Sequence, residues 1–422
     1  MKTIHLLLMI IITATVGFAQ TTTSPTPPKR TPAEESIARA SRMIETNPKN
    51  YQAYNALALA LLRRARETSD TRFYSQAEQA LTKSLEIAPD NFDGDRIQVG
   101  LLLGRHEFAA AREEGTKLNK RMPDDIMVYG LLTDANVELG NYDEAEKAAQ
   151  LMLDLRPGNS PGLIRGANLR ELFGDTDGAL DLLNMALQST PPAEVEDAAW
   201  ITTQMAHLDL CVGRITEAEK LLANALAMFP DYTYALGNLA KVRIEQKRFD
   251  DAVTLLQRRY DNAPRAENLY DLAEALQLAG RKSEAEKAFD EFEQQSLQES
   301  SKADNSNREL IFCYSDQAKH PEKALEIARA EYVRRHDVFT LDAYAWALHE
   351  NGQDGEARKQ IETALAIGIR DARMLAHAGE IALNLGGRAA AERYLEEASE
   401  LHAPGSDRAR TILATIGTTG MK

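Results

Sequence analysis

IMVYGLLTDANVELGNYDEAEKAAQLMLDLRPGN, residues 126–159, decides the architecture. Tyr129, Leu132 and Thr133 follow i, i+3, i+4 spacing, which places them on one face of a helix. Gly140-Asn141 breaks that helix. Ala145, Ala149 and Met152 then set out a second face at i, i+4, i+7, and Pro157 marks its end. The stretch therefore reads as two amphipathic helices joined by a tight turn.

The unit recurs on both sides. Prolines stand at 89, 123, 157 and 191, each 34 residues from the last, and again at 230 and 264. Alanines fall at 77, 111, 145, 179, 218, 252, 285, 324, 357 and 391, with gaps of 33, 34 or 39. A fixed period of this length is the sequence signature of a stacked array. Composition agrees: 63 of the 422 residues are alanine, against 26 aromatics. Alanine is the best helix former and a poor strand residue. At 44% apolar, the chain has ample material for a core.

The pattern resembles the tetratricopeptide repeat family. That family carries apolar residues at positions 4, 7 and 11 of a 34-residue unit, small residues at 8 and 20, and proline at 32. In this register position 20 is alanine in all ten complete units. Position 8 is Ala58, Ala167, Ala206, Ala240, Ala273, Ala345 or Gly379 in seven of them. Small side chains at these points let helix backbones approach where they cross. The resemblance implies an all-α, right-handed superhelical solenoid. Its repeats span about 51–91, 92–125, 126–159, 160–192, 199–232, 233–265, 266–304, 305–337, 338–371 and 372–404. A half-unit at about 34–48 precedes them, and 405–422 supplies a capping helix (Ser406–Ile416) and a tail. Asp95 and Gln98 occupy apolar positions, so the first helix of the second unit should pack loosely. Extra residues around 66–73 and 293–307 should bend or offset the stack.

Residues 1–19 combine Lys2, an apolar run from Leu6 to Val16, and a small-x-small ending at Gly17-Phe18-Ala19. Those are the parts of a secretory signal peptide cleaved after Ala19; an uncleaved anchor is the other reading, although the run is short for a span of ~20 residues. Thr/Pro-rich residues 20–32 read as a linker. The expectation is an exported bacterial protein, periplasmic or secreted, whose mature chain does not span a membrane.

Catalytic motifs are absent: no Walker loop, G-x-G-x-x-G, G-x-S-x-G, H-E-x-x-H or C-x-x-C-H occurs. The eight histidines suggest no metal site, and neither a cofactor nor a metal is expected. Asn91-Phe92-Asp93-Gly94-Asp95 hints at a calcium loop but lacks its first and last ligands, and is expected to be an ordinary turn. Cys211 and Cys313 lie three repeats apart, beyond the ~7 Å reach of a disulfide, and are expected to be buried thiols. A net charge of −15 argues against a nucleic-acid partner.

In tetratricopeptide arrays ligands commonly occupy the concave groove, lined by positions 2, 5 and 9 of each first helix. The resemblance thus assigns Trp200, His207, Tyr234, Tyr270, Glu274, Phe339, Asp342 and Trp346 to a peptide-binding groove. Five of these eight are aromatic, and the groove positions carry seven acidic residues against three basic. Such a surface suits an extended peptide with apolar and basic side chains. The rings could equally fill gaps between neighbouring helices. The Lys/Asn/Asn/Lys/Arg clamp of chaperone-binding members is missing: beside Asn168 stand Ile164, Gln204 and Tyr234. The expected function is a non-enzymatic scaffold or adaptor of the bacterial cell envelope that binds a protein or peptide. A carbohydrate or cell-wall-fragment binder using the same rings is the alternative.

Overall fold

The computed structural model describes residues 30–401, 403 and 405–419. The segment read as a signal peptide, 1–19, lies outside them. Among the described residues the regular structure is entirely helical, as the repeat predicts.

Thr31 opens the first helix, α1 (Pro32–Thr46), with a capping box that pairs it with Glu34. Two helices per unit follow: α2 (Tyr51–Thr68) with α3 (Arg72–Ile87), α4 (Phe92–Gly104) with α5 (Phe108–Arg121), and α6 (Ile126–Glu138) with α7 (Tyr142–Leu155). Next come α8 (Ser160–Leu172) with α9 (Thr176–Ser189), α10 (Val195–Cys211) with α11 (Ile215–Met228), and α12 (Thr233–Glu245) with α13 (Phe249–Asn262). The last units are α14 (Ala266–Leu278) with α15 (Lys282–Glu299), α16 (Asn307–Phe312) with α17 (Pro321–Arg334), α18 (Val338–Glu350) with α19 (Asp354–Leu365), and α20 (Ala372–Asn384) with α21 (Arg388–Glu400). A π-helical turn, Cys313–Gln317, prolongs α16. The final helix, α22 (Ser406–Thr419), packs Ala409 and Ile416 against Leu395, Ala398 and Leu401 of the last unit.

Local chemistry explains the boundaries. First helices often start at an Asn or Asp whose side chain accepts backbone N–H groups: Asn91 for α4, Asp125 for α6, Asn159 for α8, Asp337 for α18 and Asp371 for α20. The segment that hinted at a calcium loop is one of these caps, with Asn91 accepting from Gly94 at 3.1 Å. All ten position-20 alanines are at most 3% exposed. At Gly379 a Cβ would sit 2.5 Å from Leu395 Cγ, so even alanine is too large at that crossing. In α4, Ile97, Val99 and Leu101 are buried while Asp95 turns outward to Arg121 at 2.6 Å.

The superhelix closes on itself. Gly140 has φ +74°, and a Cβ there would lie 2.5 Å from the His336 carbonyl oxygen, 196 residues further on. Gly174 (φ +80°) meets the Gly368 carbonyl oxygen in the same way. Both positions demand glycine twice over, for backbone sign and for close approach. One turn of the superhelix therefore takes about six repeats, and its concave side is an interior rather than an open trough.

Both stretches of extra residues take part in this closure. The first lengthens α2, so that Arg66 reaches the buried Glu196 (Nη2–Oε2 2.6 Å) and Ser69 hydrogen-bonds Thr233 at 2.9 Å. The second carries Asp304 to Arg265 (2.9 Å) and near His106 (3.7 Å). They join successive turns as well as offsetting the stack.

Candidate functional site: the concave interior

The eight groove residues divide. Trp346 is 1% exposed. Its ring stacks on His377 (centroids 4.2 Å apart, planes 13° apart), Arg408 lies 4.5 Å from its centroid, and its indole N–H donates to Asp316 at 3.1 Å. Tyr270 is buried against Phe292 and Phe289, with its hydroxyl on Glu274 at 3.1 Å. Asp342 is buried and takes His377 Nδ1 at 2.8 Å. Trp346 and Asp342 fill the contact between the first helices α18 and α20, Tyr270 packs on α15 of its own unit, and all three are buried, which corrects their assignment to a binding surface. A tight superhelix brings neighbouring first helices close enough to enclose side chains that a looser one would leave open.

The other five stay accessible. Tyr234 and Phe339 are exposed, Trp200 is half-buried between two apolar clusters, and His207 and Glu274 are each about a third open.

A cavity of about 350 Å³ lies where the turns meet. It draws on Glu138 and Tyr142 from the third repeat, Asn168 from the fourth, Arg265 from the end of the sixth, Arg308 and Arg335 from the eighth, and Phe339 from the ninth. Its volume falls in the range of small-ligand pockets. Each guanidinium has a carboxylate partner: Arg265 with Asp304 (2.9 Å) and Glu267, Arg308 with Glu309 (3.0 Å), and Arg335 with Glu138 (3.5 Å) and Asp337 (3.7 Å). Arg308 also covers the Phe339 ring at 5.7 Å. Burial and the nearby Asp337 push the Glu138 carboxyl up to about 7, against the pull of Arg335 and Arg308. Burial raises Glu267 and lowers His106. A balanced set of fixed charges around one exposed ring can hold a group bearing both signs, such as a peptide segment, without a large net field.

Sequence reasoning missed most of this lining because it comes from inter-helix turns and repeat junctions six units apart. It also missed a second cluster. On α10, His207 and Cys211 stand one helical turn apart, and Glu171 on α8 approaches His207 Nε2 to 3.0 Å. The Cys211 sulfur lies 3.6 Å from Nε2 and 3.9 Å from Nδ1. Burial works against the His207 imidazolium, but Cys211 and Glu171 outweigh it and hold its value at about 10. Cys211 is thus half-buried and engaged, contrary to the expectation of a buried thiol; Cys313 is buried, and burial pushes its thiol up to about 12. The i, i+4 His/Cys pair was the available signal.

A family model described as tetratricopeptide repeat matches residues 212–267, which contain α11, α12 and α13. These residues thus carry tetratricopeptide repeats. The chain is 27% identical over 124 residues to a TPR repeat-containing protein of Methanocaldococcus jannaschii, covering 29% of this chain and 21% of that one. The chain thus matches about a fifth of that relative's length. Among solved structures, the human IFIT1 dimer with m7Gppp-AAAA aligns with a TM-score of 0.51 and 15% identity, over 87% of this chain and 86% of that one. The IFIT1 monomeric mutant with Gppp-AAAA aligns at 0.51 and 14%, over 87% and 94%. At these identities the likeness is one of fold. A tetratricopeptide-repeat fold suggests a protein-interaction or scaffold role.

Proposed function

We propose that this protein is a non-enzymatic tetratricopeptide-repeat scaffold or adaptor of the bacterial cell envelope, exported through residues 1–19, that holds a polypeptide partner in its concave interior. The observation that carries this reading is the placement of Phe339 in the wall of the interior cavity beneath Arg308, among Glu138, Glu267, Glu309 and Asp337. An apolar anchor within a balanced set of guanidiniums and carboxylates suits an extended segment that combines aromatic or aliphatic side chains with charged ones. Trp200 and Tyr234 offer further accessible rings on the same repeat positions. A nucleic acid fits less well, because the cavity guanidiniums are already paired and the chain carries a net charge of −15.

The test is a peptide library of mixed apolar and basic sequence, screened against the chain and against Phe339→Ala. Binding that weakens at least about tenfold in Phe339→Ala, with helicity unchanged, supports the interior site. Absence of peptide binding, with glycans quenching Trp200 fluorescence instead, favours the carbohydrate alternative. Helical retention and a wild-type affinity in Phe339→Ala remove the site.

A further inference from the structure

Outside the cavity, a third kind of chemistry converges at Glu171, His207 and Cys211. One carboxylate, one imidazole and one thiol place their ligand atoms within 4.8 Å of one another. His207 and Cys211 share a face of α10 by their i, i+4 spacing, and Glu171 near the end of α8 faces them from the preceding repeat. No hydrophobic core needs this trio. Each residue is only partly buried, so packing alone does not account for three different ligand types meeting here.

We propose that Glu171, His207 and Cys211 form a three-ligand site for a divalent, borderline-soft transition-metal cation of the zinc type, with the fourth position open to solvent. The separations fit. Zinc takes nitrogen and oxygen at ~2.0–2.2 Å and sulfur at ~2.3 Å, so a tetrahedral ion requires N···S near ~3.6 Å and N···O near ~3.3 Å. Cys211 Sγ lies 3.6 Å from His207 Nε2, and Glu171 Oε1 lies 3.0 Å from the same nitrogen. Cys211 Sγ lies 3.9 Å from His207 Nδ1 as well, over the ring face, so a turn of the imidazole that aims the Nε2 lone pair between Sγ and the partly exposed Glu171 carboxylate admits the ion. The ligand chemistry also selects the cation class. A thiolate and an imidazole disfavour magnesium and calcium, which prefer all-oxygen sites, and favour zinc or cobalt. Three protein ligands leave a coordination position that water or a donor from another molecule can occupy.

Binding requires a thiolate and a neutral imidazole, so loading the site releases protons. Other histidine–carboxylate pairs lack this composition. His377 with Asp342 is sealed under Trp346, and His349 with Asp354 (2.5 Å) has no sulfur beside it.

The test uses the full chain and cobalt(II) as a spectroscopic stand-in, then zinc(II) as competitor. The expected result is one cobalt per chain, a thiolate-to-cobalt charge-transfer band, and loss of that band on adding zinc. The band should persist in Cys313→Ser and vanish in Cys211→Ser. His207→Gln and Glu171→Gln should each weaken binding by more than about hundredfold, beyond the ~10–100-fold typical of an outer-shell partner. A second measurement needs no variant: zinc should slow alkylation of Cys211 in the unaltered chain and leave Cys313 unchanged. The proposal is overturned if no charge-transfer band forms, if the band survives in Cys211→Ser, or if zinc fails to protect Cys211. That protection is measured on the unaltered chain, so it decides the question even where a variant loses helicity.

Discussion

The Tyr142 hydroxyl accepts the backbone N–H of Val338 at 2.9 Å, joining the third repeat to the first turn of α18 in the ninth. Both residues are buried. A helix N-terminus has N–H groups without intrahelical partners, and here one of them is satisfied by a side chain from 196 residues away. The bond closes one turn of the superhelix on the next and fixes one wall of the interior cavity.

Tyr142→Phe removes that acceptor and strands a buried donor. The expected cost is about 1–3 kcal/mol, read as a lower denaturation midpoint. Tyr129→Phe is the control, since the Tyr129 hydroxyl bonds the Pro123 carbonyl at an exposed site. Equal midpoints for the two variants would show that the closure contributes nothing.

Arg66 and Glu196 make the corresponding link nearer the N-terminus. Glu196 is 0% exposed and is held by Arg66 at 2.6 Å and by the Tyr232 hydroxyl at 2.8 Å. Arg66→Met should cost about 3 kcal/mol, because the buried Glu196 carboxylate is left without its half-exposed cation. Arg72→Met breaks the exposed pair with Asp70 and should change stability by less than about 1 kcal/mol. Urea melts of both variants decide the comparison.

Glu138 makes stability depend on pH in the direction opposite to a salt-bridged carboxylate. Its value is about 7 in the folded protein against 4.5 for the free side chain, through burial and Asp337, with a smaller contribution from Asp134, against Arg335 and Arg308. The folded state therefore holds more protons than the unfolded state between those limits. Its contribution is complete below pH 4.5 and is lost as pH rises through about 7. The side chain is 39% open to water, so screening reduces the effect to about 1 kcal/mol. Melting temperatures at pH 5 and pH 8 should differ less in Glu138→Gln than in the unaltered chain.

Ala179→Leu tests the repeat register itself. Ala179 is 0% exposed at the crossing of α8 and α9. Extra methylenes there should cost about 1–3 kcal/mol. An unchanged melting temperature would mean that the helices do not cross at this residue.

Removing Trp346 should act on stability rather than on binding. Its ring lies between His377 and Arg408, so Trp346→Ala opens a cavity beneath α22 and should cost about 3–5 kcal/mol. Peptide affinity should change far less than in Phe339→Ala. A Trp346→Ala variant with normal stability and lost binding would return this ring to the binding surface.

The period of alanines and prolines determined the helix pairs and the small residues at their crossings, and the amphipathic pattern of Ser406–Ile416 determined the capping helix. These features are local: one helix-turn-helix is set by spacing, turn residues and caps within 34 residues. The family resemblance implied the concave positions, but it did not separate Trp346 and Tyr270, enclosed between helices, from Phe339, which remains exposed. That distinction depends on how tightly the superhelix winds, which in turn rests on contacts between residues more than a hundred positions apart. Gly140 against His336, Tyr142 with Val338 and Arg66 with Glu196 have no sequence signature, because nothing within one repeat refers to the repeat that will lie beside it a turn later. The Glu171, His207 and Cys211 cluster falls between these cases. Its His/Cys spacing is written along one helix, whereas the carboxylate that completes it comes only from packing against the neighbouring repeat.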